Sequence, residues 1–120
     1  MTFVMPRASA VGIGRASGPP GPDNRLLVAA ESEGLVAIYW PFEQRYNAWL
    51  VANCESGWWT GAHADVGEDS RGVFQLNVLA HPELAAWNLY DPQINAYFAY
   101  QLWQQQGWSP WTCAAILGIV

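Results

Sequence analysis

Eight tryptophans, all at or after Trp40, are the feature that most limits how this 120-residue chain can fold. An indole is large and mostly apolar, so it is stabilised either in the core or against a ligand with a flat apolar face. We expect about half of the eight in the core of a small domain. The remaining tryptophans would be available to a ligand. Because only 12% of the residues are charged, these tryptophans suit uncharged ligands with flat faces, and sugar rings are the commonest of these.

Length and charge exclude several classes of protein. The chain has room for one domain, and its formal charge of −5 comes from 10 acidic residues against 5 scattered arginines. Without a basic stripe, nucleic acid and anionic membrane surfaces are poor partners. The most apolar windows, 26–30 and 35–40, are too short to span a bilayer. We therefore expect a soluble, acidic, monomeric domain without a cofactor or a metal.

Gly, Pro, Ala and Ser make up most of residues 6–22, a composition that buries too little apolar surface to order itself. We therefore expect a flexible segment over 1–22 and one domain over 23–120. The first five residues lack the basic and apolar regions of a signal peptide.

The sequence predicts helices from their start and stop signals. Asp23-Asn24 is expected to cap a first helix that carries Leu26, Leu27, Ala30, Leu35 and Ile38. Pro41 is expected to open a second, with one apolar face and an end at Ser56-Gly57. That face is formed by Phe42, Tyr46, Trp49, Leu50 and Cys54.

Two further helices are predicted near the end of the chain, one from Asp91-Pro92 to Gly107 and one from Ser109-Pro110. Residues 60–72 are polar and contain glycine, which predicts a loop, and no segment alternates as a strand would. The predicted fold class is mainly α, or α+β at most.

Glu55 is the first candidate for chemistry. It lies in the last turn of the second predicted helix, close to Trp49 and Trp58-Trp59. A helix C-terminus and neighbouring apolar rings both raise the pKa of a carboxyl group. Such an acid can protonate a leaving-group oxygen, as glycosidic cleavage requires. The alternative is a solvated glutamate with no role beyond the surface.

Cys54 and Cys113 leave three possibilities open. They could form a disulfide that closes a loop of about 60 residues, provide a thiol nucleophile, or bind zinc together with His63 and His81. An even number of cysteines in a small domain favours the disulfide.

The acidic loop with Asp65, Glu68 and Asp69 could supply a second catalytic carboxylate. It could also be a solvated loop, and it lacks the alternating oxygen ligands of a calcium-binding loop.

Four segments together resemble the lysozyme-like transglycosylase domains, which include soluble lytic transglycosylases and resuscitation-promoting factors. The resemblance covers about residues 40–117, although the family's Ala-Tyr-Asn motif has no clear copy. The segments are NCESGWW (53–59), SRGVFQLN (70–77), YDPQINAYFAYQLW (90–103) and GWSPWTC (107–113).

The resemblance implies a lysozyme-like helical domain with a substrate groove and a Cys54–Cys113 disulfide. It implies that Glu55 is the catalytic acid and base, and that Gln75 lines a saccharide groove. The further groove residues expected are Ser70, Phe74, Asn77, Trp108 and Trp111.

The activity implied is cleavage of the β-1,4 bond between N-acetylmuramic acid and N-acetylglucosamine in peptidoglycan. The glycan strand would then be the partner, and the protein would act outside the cell, at the cell wall or on a virion. Attack by the sugar's own 6-hydroxyl would give a 1,6-anhydro product. The alternatives are a hydrolytic lysozyme, with Asp65 or Asp69 orienting water, and a non-catalytic cell-wall-binding or phage-structural module of the same fold.

Overall fold

The computed structural model describes residues 18–120 as four α-helices, one 3-10 helix and a small antiparallel sheet. The helices are α1 (Ala29–Tyr39), α2 (Phe42–Ser56), the 3-10 helix (Pro82–Ala86), α3 (Pro92–Gln106) and α4 (Thr112–Ile116). The strands are β1 (His63–Ala64), β2 (Ser70–Arg71) and β3 (Leu76–Asn77), in that order across the sheet. This confirms the mainly α prediction, with a minor β component.

Helix α1 begins later than predicted. Its N-cap is Val28, whose N–H donates to the Glu31 carboxylate at 3.2 Å. Asp23, the predicted cap, instead accepts a hydrogen bond from the Thr60 hydroxyl at 3.0 Å. The prediction was wrong because the backbone of residues 23–28 forms hydrogen bonds with the chain around Thr60. These tertiary hydrogen bonds replace the ones that the same backbone groups would form within a helix.

Helix α2 has the predicted bounds, and Gly57 ends it in the left-handed region at φ 63°. Its predicted apolar face was wrong in part. Phe42 and Tyr46 are 78% and 71% exposed, whereas Ala48 and Val51 are fully buried. The large side chains at the start of the helix project past the end of the core, so small residues make the contact with the rest of the fold.

The polar segment predicted as a loop contains β1 and β2. Ser70 pairs with Ala64 on one side and with Asn77 on the other. Strands of two residues are too short for an alternating pattern to be visible in the sequence.

Residues 18–22 lie against the fold, although we expected them to be flexible. The N–H of Gly18 donates to the His63 carbonyl at 2.9 Å, and that of Gly21 donates to the Gly61 carbonyl at 3.2 Å. A side chain at Gly21 would overlap the ring of Tyr90, so glycine here permits a close approach. The rest of the predicted flexible segment, 1–17, lies outside the described residues.

Helix α3 confirms its predicted signals. The Asp91 carboxylate accepts hydrogen bonds from the N–H groups of Gln93 and Ile94, and Gly107 ends the helix. Helix α4 begins at Thr112, two residues after the predicted start.

The core is built from stacked aromatic rings. Trp40 stacks on Phe74 and on Trp108, with ring centroids 5.1 Å and 5.9 Å apart. Four of the eight tryptophans are buried, which confirms the expectation for about half of them; they are Trp40, Trp58, Trp108 and Trp111.

The disulfide links the C-terminal end of α2 to α4. Cys54 in the last turn of α2 is bonded to Cys113 in α4, across 59 residues of sequence. The bond confirms the predicted pairing and fixes the helix end that carries Glu55. Within residues 18–120, no helix is long and apolar enough to cross a membrane.

Candidate active site

Glu55 lies in the last turn of α2 and is 2% exposed. The residues on either side of it are both anchored. Cys54 is held by the disulfide, and the Ser56 hydroxyl donates to the Val73 carbonyl at 2.7 Å. The helix end is therefore fixed against the 72–75 turn, and Glu55 has little freedom to move away from it.

The 72–75 turn, Gly72 to Gln75, has a backbone that only certain residues tolerate. Gly72 has φ +78°, and a side chain there would overlap the Leu89 carbonyl and the Asn95 amide. Gln75 has φ 51°. A left-handed backbone at a residue other than glycine costs about 1–3 kcal/mol and is commonest at functional sites.

Within residues 18–120, Gln75 shares this conformation with one other non-glycine residue, Trp58. Trp58 lies in the segment NCESGWW (53–59) and Gln75 in SRGVFQLN (70–77), two of the segments that carry the resemblance. Both segments therefore retain backbone strain that the surrounding contacts must hold in place.

Asn95 of α3 holds the turn from the other side and is fully buried. Its amide nitrogen donates to the carbonyls of Arg71 and Leu89 at 2.8 Å and 2.9 Å, and its oxygen accepts from the Phe74 N–H at 2.9 Å. Asn95 was not among the site residues predicted from the sequence. The signal for it was a lone amide among the apolar positions of a helix, where a buried polar group needs several partners.

The six predicted groove residues are all buried, between 0% and 7% exposed. Gln75 donates its amide hydrogens to the carbonyls of Ala62 and Gly72, both at 3.0 Å. Asn77 accepts hydrogen bonds from the N–H groups of Asp69 and Leu79, both at 3.1 Å.

The aromatic members of the six form one cluster. Phe74 and Trp111 are in contact, and so are Trp108 and Trp111. The Trp111 indole donates to the Phe74 carbonyl at 3.0 Å. These contacts hold the turn together, and binding of a saccharide by these residues stays a prediction.

The acidic loop divides into three different environments. Asp65 is exposed, whereas Glu68 is 5% exposed and accepts a 2.6 Å hydrogen bond from the Ser70 hydroxyl. Asp69 is paired with Arg71 through two hydrogen bonds of 2.9 Å and 2.7 Å, and with His63 at 2.8 Å.

These partners determine how Asp69 and Arg71 titrate. The Arg71 guanidinium, with a smaller effect from His63, lowers the pKa of Asp69 below its usual 3.8. The same pair raises the pKa of Arg71. Asp69 is therefore an anion at any pH near neutrality, and its oxygens are already engaged.

The two cysteines offer no thiol chemistry, because both are in the disulfide. This excludes the thiol nucleophile and a cysteine-ligated zinc site that the sequence left open. Among residues 18–120, no group of three or more His, Cys, Asp or Glu side chains could hold a metal ion.

The chain matches the model of a known protein family. The family model described as a lysozyme-like domain matches residues 41–113, which is more than half of the chain. The chain belongs to the lysozyme-like domain family. No curated protein and no solved structure matches the chain.

The matched region runs from the start of α2 to the second cysteine of the disulfide. It includes Glu55, the 72–75 turn and Asn95. A lysozyme-like domain suggests a glycosidase activity related to peptidoglycan. Together with the disulfide it is compatible with an extracellular location.

Proposed function

We propose that this lysozyme-like domain cleaves the β-1,4 bond between N-acetylmuramic acid and N-acetylglucosamine in peptidoglycan, with Glu55 as its single acid and base. The observation that carries the proposal is the placement of Glu55, 2% exposed and anchored through both neighbouring residues. A carboxylic acid that is held in a fixed position can donate its proton to a leaving glycosidic oxygen.

The reaction needs two proton transfers through one carboxyl group. Glu55 donates its proton to the glycosidic oxygen as the bond from that oxygen to the anomeric carbon breaks. The 6-hydroxyl of the muramic acid then attacks the anomeric carbon and gives its proton to the Glu55 carboxylate. The product is a 1,6-anhydro sugar, and Glu55 returns to its starting state without a second carboxylate.

Two of the three carboxylates of the acidic loop are already engaged, which favours the single-carboxylate route over hydrolysis. A hydrolytic enzyme needs a carboxylate free to orient water. Asp69 is engaged by Arg71 and His63, and Glu68 accepts the Ser70 hydroxyl. Asp65 is exposed and is the loop carboxylate that a hydrolytic route would have to use.

The test replaces Glu55 by Gln and follows cleavage of purified peptidoglycan. Glutamine keeps the shape of the side chain but cannot donate the proton, so we expect a loss of about 10²–10⁴-fold. Asp65→Asn is the matched control and should retain near-normal activity. Near-normal activity in Glu55→Gln would contradict the proposal.

Mass spectrometry of the products separates the remaining alternatives. An anhydro product is lighter by one water than a hydrolytic product. Detection of the hydrolytic product would identify a lysozyme instead. A wild-type protein that binds peptidoglycan but never cleaves it would be a binding module. We also propose that the protein acts at the cell wall or on a virion, where this substrate is reached.

A further inference from the structure

Helix α3 has an uncharged surface in a chain that is otherwise acidic. Its 15 residues contain no Asp, Glu, Lys, Arg or His, although the chain has 10 acidic and 5 basic residues. Apart from the buried Asn95, the amides and phenols of the helix are carried by five glutamines and two tyrosines. A neutral ligand suits this surface, because the helix has no ion to pair with a charged one.

Six aromatic rings form a continuous row along α3 and the neighbouring segments. Consecutive ring centroids are between 5.1 Å and 6.1 Å apart. We call these six residues the aromatic row; in spatial order they are Trp87, Phe98, Tyr97, Tyr39, Tyr100 and Trp103.

The aromatic row is anchored in the core on one side and open to solvent on the other. Tyr100 packs edge-on against the buried Trp40, with centroids 5.6 Å apart. Trp87 and Tyr97 are 52% and 43% exposed. A surface groove of about 370 Å³ runs along this end of the row, and no residue that lines it is charged. Its lining consists of Tyr39, Trp87, Gln93, Ile94, Tyr97 and Phe98.

Hydrogen-bonding groups are held in place beside the rings. The amide of Gln101 donates to the Tyr97 hydroxyl at 2.7 Å, and that of Gln104 donates to the Tyr100 hydroxyl at 2.9 Å. Because each phenol oxygen accepts from a glutamine, its own hydrogen can be donated to a ligand. The surface thus combines flat apolar faces with fixed neutral donors and acceptors.

We propose that the aromatic row is a second saccharide-binding site, which holds a neutral stretch of glycan away from Glu55. A pyranose ring has an apolar face that covers an aromatic ring and a rim of hydroxyl and acetamido groups that hydrogen-bond to amides and phenols. The apolar face of the sugar therefore complements the aromatic rings of the row, and its polar rim complements the amides and phenols beside them. This proposal rests on the proposed function in one respect, which is that the glycan is peptidoglycan.

Tyr39, in the middle of the aromatic row, lies far from Glu55, although Trp103 at one end of the row contacts Trp108 with ring centroids 5.9 Å apart. Tyr39 precedes the N-terminus of α2, whereas Glu55 lies in the last turn of that 15-residue helix. At 1.5 Å per residue the two ends are about 20 Å apart. A glycan held at the row would therefore keep the enzyme on its insoluble substrate between cleavage events.

The experiment measures binding rather than turnover. The Glu55→Gln protein is mixed with purified insoluble peptidoglycan, and the fraction that sediments with it is determined. The same protein is titrated with a soluble oligosaccharide of N-acetylglucosamine while its tryptophan indole NMR signals are followed. Trp87→Ala and Tyr97→Ala are then introduced together, since both side chains are exposed and their loss leaves the core intact.

We expect the Trp87→Ala/Tyr97→Ala change to weaken binding at least about tenfold, the usual effect of truncating an aromatic anchor. Phe42→Ala with Tyr46→Ala is the matched control, because these two aromatic residues are more exposed but lie outside the row. The control should bind as the parent does. The Trp87 indole signal should shift during the oligosaccharide titration.

Several results would overturn the proposal. Unchanged binding after the Trp87→Ala/Tyr97→Ala change would do so, as would equal loss in the control. If analytical ultracentrifugation showed that the free protein is a dimer and that the Trp87→Ala/Tyr97→Ala change breaks it, the row would be assigned to contact with a second copy of the chain. If Glu55→Gln still cleaves peptidoglycan, the catalytic proposal fails, but the oligosaccharide titration still tests the row.

Discussion

Breaking the Cys54–Cys113 disulfide is expected to destabilise the domain by about 4 kcal/mol. The bond closes a loop of 59 residues. In the loop-entropy model, a loop of this length restricts the unfolded chain by about that amount. A domain of this size has a total unfolding free energy of about 5–15 kcal/mol, so the disulfide accounts for a large part of it.

The assay is urea unfolding of the oxidised protein and of the Cys54→Ala/Cys113→Ala variant, followed by tryptophan fluorescence. In a thermal unfolding experiment on a domain of 120 residues, the same 4 kcal/mol would lower the Tm by about 15 °C. Both cysteines are buried, so the alanine variant also loses some packing. Chemically reduced wild-type protein is therefore the control, since it keeps both sulfur atoms.

A difference of less than about 1 kcal/mol between the oxidised and the reduced protein would refute the reasoning. It would mean that the unfolded chain is already compact around these residues, so that the bond removes little of its freedom.

Two further predictions concern the support of the 72–75 turn and the acidic loop. Asn95→Leu removes the hydrogen bonds that Asn95 makes to the Phe74 N–H and to the Arg71 and Leu89 carbonyls, so it should cost about 3 kcal/mol or more in urea unfolding. Asp69 has its pKa lowered in the folded state by Arg71, so the stability that it contributes is present above about pH 4 and is lost as the pH falls below that. The Asp69→Asn variant should therefore differ from wild type at pH 7 and approach it at pH 2–3; a difference that is independent of pH would contradict this.

The sequence by itself determined those features whose causes are local. Asp91-Pro92 and Gly107 bound α3 because capping and helix termination depend on neighbouring residues. The same is true of α2, which ends at Gly57 as predicted. The position of Glu55 at a helix end also follows from these local signals. The even number of cysteines favoured a disulfide, and the family resemblance implied the Cys54–Cys113 pairing.

The tertiary structure decided which faces are buried and which backbone groups find distant partners. Residues 23–28 satisfy their backbone against the chain near Thr60, so the local capping signal at Asp23 has no helix to cap. Phe42 and Tyr46 fit an apolar helical face, yet they project beyond the core and are exposed.

Asn95 and the aromatic row depend on the same kind of information. The three partners of Asn95 lie 6 to 24 residues away in sequence, and Tyr39 meets Tyr97 from a different helix. Local patterns specify an element and its ends, because they act over one or two turns. Which side of that element meets another is fixed only when the whole chain packs, because burial is a property of the assembled surfaces.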